Sequence, residues 1–165
     1  MKIIFLDIDG VLNSQEYFIN NHNNIKEFYK DNIYNKDNVD LLVERQIMDI
    51  DYDKLLLLKK IIDATQSKVV ITSTWKQFFF FQKIVEKFIE FGIPVVGATE
   101  DSVIDRGAGI KKYIQEHDVS SYAILDDEIF DDYDDEIMNR LVKTNFYGDG
   151  LSDEEGKKLI KLLKK

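Results

Sequence analysis

A chain of 165 residues, 44% of them hydrophobic, is long enough to bury the core of one domain and too apolar for wholesale disorder. It has no cysteine and only two histidines, His22 and His117, which excludes disulfides, thiolate chemistry and a histidine-rich zinc centre. A formal net charge of −9 argues against stable, broad electrostatic binding of nucleic acid, though not against recognition of a single phosphate end.

The first element is the apolar, β-favouring run 2–6, which ends at Asp7 and suits a central strand buried on both faces. It lacks the long apolar stretch of a signal peptide, and no segment approaches the ~20 apolar residues of a membrane span. A soluble, cytoplasmic protein with no membrane partner is expected. Residues 14–50, rich in Asn, Asp, Lys and Tyr, predict a small, helical, cap-like insertion rather than a second domain. Residues 51–65 carry the apolar stripe Leu55, Leu58, Ile61 and Ile62 of a helix that Asp51 or Asp53 can cap.

A second buried strand follows at 68–73 and ends in the hydroxyls of Thr72 and Ser73. Residues 75–91 predict one helix, stopped by Gly92 with Pro94 soon after. A short strand is expected at 94–97, a helix at 108–117 and a strand at 121–125 that runs into Asp126 and Asp127. A fifth strand is expected at 141–144. Ser152, with Glu155 three residues on, forms the capping box of a closing helix. Strands alternating with helices imply one domain over 1–165. Its architecture is a Rossmann-like, three-layer αβα sandwich around a mainly parallel five-stranded sheet.

In such sheets ligands bind beyond the carboxyl ends of the strands, where the chemistry-bearing residues fall here: Asp7 and Asp9, Thr72 and Ser73, Asp126 and Asp127. One carboxylate there can attack phosphorus and form an acyl-phosphate, and a second, two residues on, can move protons. Further carboxylates suit a hard, oxygen-liganded ion such as Mg2+, and a hydroxyl with a cation suits the remaining phosphoryl oxygens.

The string Asp7-Ile8-Asp9-Gly10-Val11 resembles the first motif of the haloacid dehalogenase (HAD) superfamily. The local likeness is to a small branch found as modules in multi-domain, Swiss-army-knife RNA repair proteins. It is carried by residues 5–13, by Thr72-Ser73-Thr74-Trp75-Lys76, by Leu125-Asp126-Asp127 and by the tail 141–155. The resemblance implies a HAD-like fold with a minimal cap and a Mg2+-dependent phosphatase working through a phosphoaspartate. A phosphorylated small molecule, nucleotide or nucleic-acid end is the expected substrate. Asp7 is the implied nucleophile and Asp9 the general acid/base, and Asp7, Asp9 (through its carbonyl), Asp126 and Asp127 are the implied metal ligands. Thr72 or Ser73 is the phosphate-binding hydroxyl, with Gly10 and Lys76 as further substrate contacts. The cation of the third motif is Arg106, with Lys111 and Lys112 as alternatives. The competing readings are a silent phosphate- and Mg2+-binding module, or a phosphotransferase acting with a partner.

Other features have plain explanations. The acidic run 131–136 reads as a solvated loop, and Phe78 to Phe81 read as mostly core on a continuous helix. Trp75 lies beside the site as a candidate stacking surface. His117 fits a helix C-terminus, and Lys157, Lys158, Lys161, Lys164 and Lys165 form a solvated basic face.

Overall fold

Five short apolar runs separated by helices pair into one sheet, every neighbouring pair parallel. The computed structural model describes residues 1–32, 35, 37–100 and 105–164. The strands are β1 (Lys2–Leu6), β2 (Lys68–Ile71), β3 (Val95–Ala98), β4 (Ser121–Asp126) and β5 (Leu141–Lys143), lying side by side in the order β3-β2-β1-β4-β5. The sheet is thus wholly parallel, as expected of strands linked by helical crossovers.

Alternate residues of the strands feed two cores. Ile4 and Leu6 of β1 face the larger one, with Val69, Ile71, Ala123 and Leu125 beside them. Over that face pack α3 (Tyr52–Thr65), α4 (Phe81–Phe91) and α7 (Asp153–Leu163), through Leu58, Ile61, Ile84, Phe88, Leu159 and Leu163. Ile3 and Phe5 face the smaller core, which α5 (Arg106–Glu116) and the single turn α6 (Asp135–Met138) cover with Ile110, Tyr113 and Ile137. Each fully buried Leu, Ile or Phe contributes roughly 1.5–3 kcal/mol, so these two seams dominate the stability.

Local signals set the helix ends. Asp51 caps α3 by accepting from Asp53 N at 3.0 Å, and the capping box of α7 is complete. Residues 14–50 hold α1 (Gln15–Asp31), capped by Ser14, and α2 (Val39–Ile47), capped by Asn38; Ile33, Tyr34 and Lys36 between them lie outside the described residues. Along α1 only Asn21 is buried, and the helix is moored by Tyr17 Oη to Met48 O (2.7 Å) and Asn21 Nδ2 to Met48 O (2.8 Å).

Two expectations are corrected. The helix read over 75–91 is broken: Thr74–Gln77 form a 3₁₀ turn, the chain extends at Phe78, and α4 begins at Phe81. The break has a packing cause, because four aromatics on one helix would point all round it. With Phe78 extended, its ring stacks on Phe80 at 5.1 Å and both reach the core, while Phe79 alone is left 75% exposed. The acidic run is not simply a solvated loop, since Asp134 caps α6 and Ile137 is fully buried. His117 follows α5 directly, with its ring stacked on Tyr113 at 3.8 Å. Lys157, Lys158 and Lys161 on α7 and Lys164 just after it are exposed; Lys165 lies outside the described residues. No described helix is long and apolar enough to cross a membrane.

Candidate active site at the carboxyl ends of the central strands

β1 is the middle strand, and the chain builds β2 and β3 on one side before crossing back to add β4 and β5 on the other. The order therefore reverses beside β1, and the crevice at that reversal is where open α/β sheets bind ligands. Asp7 follows the last residue of β1 and Asp126 is the last of β4; Asp7 N donates to Leu125 O at 2.9 Å, and Thr72 N to Leu6 O at 2.9 Å. Parallel register thus brings the ends of three strands to one level.

Among the described residues, Asp7, Asp126 and Asp127 form a carboxylate cluster whose ligand oxygens all lie within 4.8 Å of one another. Asp7 and Asp126 are buried and Asp127 half-buried. Burial first, and then the neighbouring charge of Asp126, pushes Asp7 up to about 8, although Arg106 opposes the shift. Burial and Asp126 likewise push Asp127 up to about 6. Asp126 is raised mainly by burial, against the pull of Arg106. Like charges this close disfavour one another's ionised forms, and the arrangement is short of positive charge.

Arg106, at the start of α5 and 5% exposed, is a cation in direct contact with the cluster. Its Nη1 lies 2.6 Å from Asp126 Oδ2 and 3.1 Å from Asp7 Oδ1, and Phe130 covers the guanidinium with its ring centroid 4.3 Å away. Burial disfavours its charge, but Asp7 and Asp126 outweigh this and raise its affinity for the proton. The other two candidates for this role point elsewhere. Lys111 pairs with Asp134, and Lys112 with Glu100 at 2.7 Å, both at the surface.

The hydroxyl pair divides clearly. Ser73 Oγ accepts from Trp75 N at 3.3 Å and caps the 3₁₀ turn. Thr72 Oγ1 is buried with no hydrogen-bond partner among the described residues, which is a cost unless a ligand satisfies it. Arg106 Nε is orphaned in the same way. Lys76 Nζ donates to Thr99 Oγ1 at 2.9 Å, just past the end of β3.

Gly10 has φ +78°, and a Cβ there would fall 2.2 Å from Asp127 Oδ2. The position needs glycine on both counts, for its left-handed backbone and for the close approach of the carboxylate. Thr144 Oγ1 donates to Gly10 O at 2.7 Å, and Asn13 Oδ1 accepts from Gly10 N at 2.8 Å, so the turn is held at both of its polar atoms. Asp9 is exposed, yet both its oxygens are engaged: Oδ1 accepts from Asn13 Nδ2 (2.9 Å) and Oδ2 from Trp75 Nε1 (3.0 Å). Trp75 is 2% exposed, so this candidate stacking surface is not offered and its indole is a buried donor instead.

Sequence reasoning gave no role to Asn13, Thr144, Phe130 or Tyr133, whose Oη lies 3.4 Å from Asp126 Oδ2. A signal existed only for Asn13 and Thr144, which lie inside the strings that carry the resemblance.

A family model described as the HAD domain in Swiss Army Knife RNA repair proteins matches residues 3–155. The chain belongs to this family. Comparison with curated proteins and with solved structures gives no match. The wholly parallel sheet with helices on both faces is the α/β, Rossmann-like fold of a HAD domain, and membership points to a phosphohydrolase-type role.

Proposed function

We propose that this HAD domain is a Mg2+-dependent phosphatase that hydrolyses phosphomonoesters through a phosphoaspartate on Asp7. The observation that carries the reading is the packing of Asp7, Asp126 and Asp127 within 4.8 Å, with Arg106 against them and an unsatisfied Thr72 hydroxyl beside Asp7's strand. Buried carboxylates with raised proton affinity are what a divalent cation would relieve, and an all-oxygen donor set suits Mg2+. Asp7, Asp126 and Asp127, with the carbonyl of Asp9, would hold it. When bound, the ion supplies charge neutralisation for the phosphoryl group and keeps Asp7 ionised at neutral pH.

The chain's own residues do the rest. Asp7 attacks phosphorus, forming an O–P bond as the bond to the leaving oxygen breaks, and Asp9 gives that oxygen its proton. Asp9, now a carboxylate, takes a proton from the water that attacks the phosphoaspartate, releasing phosphate and restoring Asp7. Arg106 and Thr72 bind the non-bridging oxygens, and Lys76 contacts the substrate. With a cap-like insertion that holds two helices, α1 and α2, among the described residues, the site stays open to bulky phosphate esters. The family's occurrence in RNA repair proteins favours nucleotides or nucleic-acid ends over other esters.

The test is phosphate release from a panel of phosphomonoesters, including mononucleotides and end-phosphorylated oligonucleotides, with Mg2+ and with EDTA. Release that needs Mg2+ and disappears in Asp7→Asn supports the reading. No release from any ester by the wild-type protein, with Mg2+ present, turns the site into a binding module.

A further inference from the structure

We infer that Trp75 is a positioning residue for Asp9: its buried indole N–H, with the Asn13 amide, orients the general acid/base without help from a closing cap. The inference deepens the phosphatase reading and rests on it.

The geometry is unusual for an exposed carboxylate. A side chain at the surface normally gains little from hydrogen bonds that water can replace. Here both donors come from the interior, Trp75 at 2% exposure and Asn13 at 0%, and each takes a different oxygen of Asp9. Two donors on two oxygens define the plane of the carboxylate and leave its remaining lone pairs directed outward. Both donors are themselves held. Asn13 Oδ1 is fixed by Gly10 N and its Nδ2 also reaches Asp49 O at 3.1 Å. The Trp75 backbone N–H is tied to Ser73 Oγ, and its ring sits in the larger core.

The contact spans 66 residues of sequence, so it ties the end of β1 to the 3₁₀ turn after β2, the two segments that flank the phosphate site. A merely structural tryptophan would not need its one polar atom at the site's proton carrier. The break in the predicted 75–91 helix gains a purpose in this view. A continuous helix would present one face to the core, whereas the turn Thr74–Gln77 lets Trp75 bury its ring and still place Nε1 at the site.

The consequence is specific to the leaving group. A p-nitrophenolate departs without a proton, whereas an alkoxide needs one from Asp9. The experiment replaces Trp75 by 3-benzothienylalanine, which keeps the shape of the ring system and exchanges the N–H for sulfur; Trp75→Phe is the second variant. Single-turnover release of the leaving group is measured from ethyl phosphate and from p-nitrophenyl phosphate with Mg2+. The melting temperature is recorded as a control for folding. The expected result is an about tenfold loss with ethyl phosphate, the scale of one hydrogen bond to a charged group, and little loss with p-nitrophenyl phosphate. In an Asp9→Asn background the same replacement should make no further difference, because two residues acting as one unit are not additive.

An equal loss on both esters, or the same factor repeated in the Asp9→Asn background, overturns the positioning role and leaves Trp75 as packing. Failure of the wild-type protein to release either leaving group removes the phosphatase reading, and this inference with it.

Discussion

The two ends of the sheet bury polar groups for different reasons. At the amino-terminal edge, Thr65 and Ser67 lead into β2 and are buried, but they satisfy one another at 2.8 Å, and Thr65 Oγ1 also donates to Ile61 O at 2.8 Å. At the carboxyl-terminal edge, Asp7, Thr72, Arg106 and Asp126 are as deeply buried, yet like charges face one another and two polar atoms have no partner among the described residues. The first edge is complete as folded. The second carries a standing cost that a cation and an anion would remove, the usual mark of a functional site in an otherwise consistent fold.

Four experiments break or sharpen that contrast, the largest effect first. Asp7→Asn should lower phosphatase turnover by at least about a thousandfold, because an amide is a poor nucleophile. The same variant should melt higher than wild type in EDTA above about pH 8, where Asp7 ionises beside its acidic neighbours; a lower melting point would mean the pair with Arg106 outweighs the crowding. Gly10→Ala comes next. Its methyl group would displace the Asp127 carboxylate, so Mg2+ binding by calorimetry should weaken about tenfold or more, and undiminished binding would show that Asp127 is not needed as a ligand.

The third concerns pH. Asp7 and Asp127 have folded-state values of about 8 and about 6, above their ordinary 3.8. Groups raised in this way contribute stability that is full below about pH 4 and is lost as pH rises through 6 and then 8. Metal-free protein should therefore lose this contribution between about pH 4 and about pH 8, and the rise in melting temperature on adding Mg2+ should grow over the same window. A Mg2+ shift that is flat with pH would contradict the crowded cluster.

The smallest effects separate the edges directly. Thr65→Val should cost about 1 kcal/mol, or a few degrees of melting temperature, with activity unchanged. Thr72→Val should leave stability unchanged or slightly raised while kcat/KM falls about tenfold. The reverse pattern in either variant would erase the distinction.

The sheet was legible because each strand is a short run of apolar residues bounded by helical periodicity, and β1 and β4 deliver their carboxylates directly at their ends. The capping box at Ser152 was legible because capping is a local affair of four residues. Arg106 could be ranked only by its separation from Asp126, since nothing in a helix start reveals that a guanidinium will turn inward. The donors to Asp9 and Gly10 were opaque for a related reason. Asn13, Trp75 and Thr144 act across 4, 66 and 134 residues through single atoms, and such contacts leave no periodic trace. The broken helix at Phe78–Phe80 was missed because helical propensity gave way to ring packing in the core.

The clamp of Thr144 on Gly10 also has a meaning in time. During synthesis the first motif emerges well before the hydroxyl that locks its turn, which comes 134 residues after Gly10. Leu151 N, which donates to Val11 O at 2.9 Å, comes later still. Contacts of such long sequence separation form late, so the growing chain carries the first motif long before it has the pocket that would make it reactive. On this geometry the turn of the first motif is locked by late, long-range contacts rather than by its own neighbours.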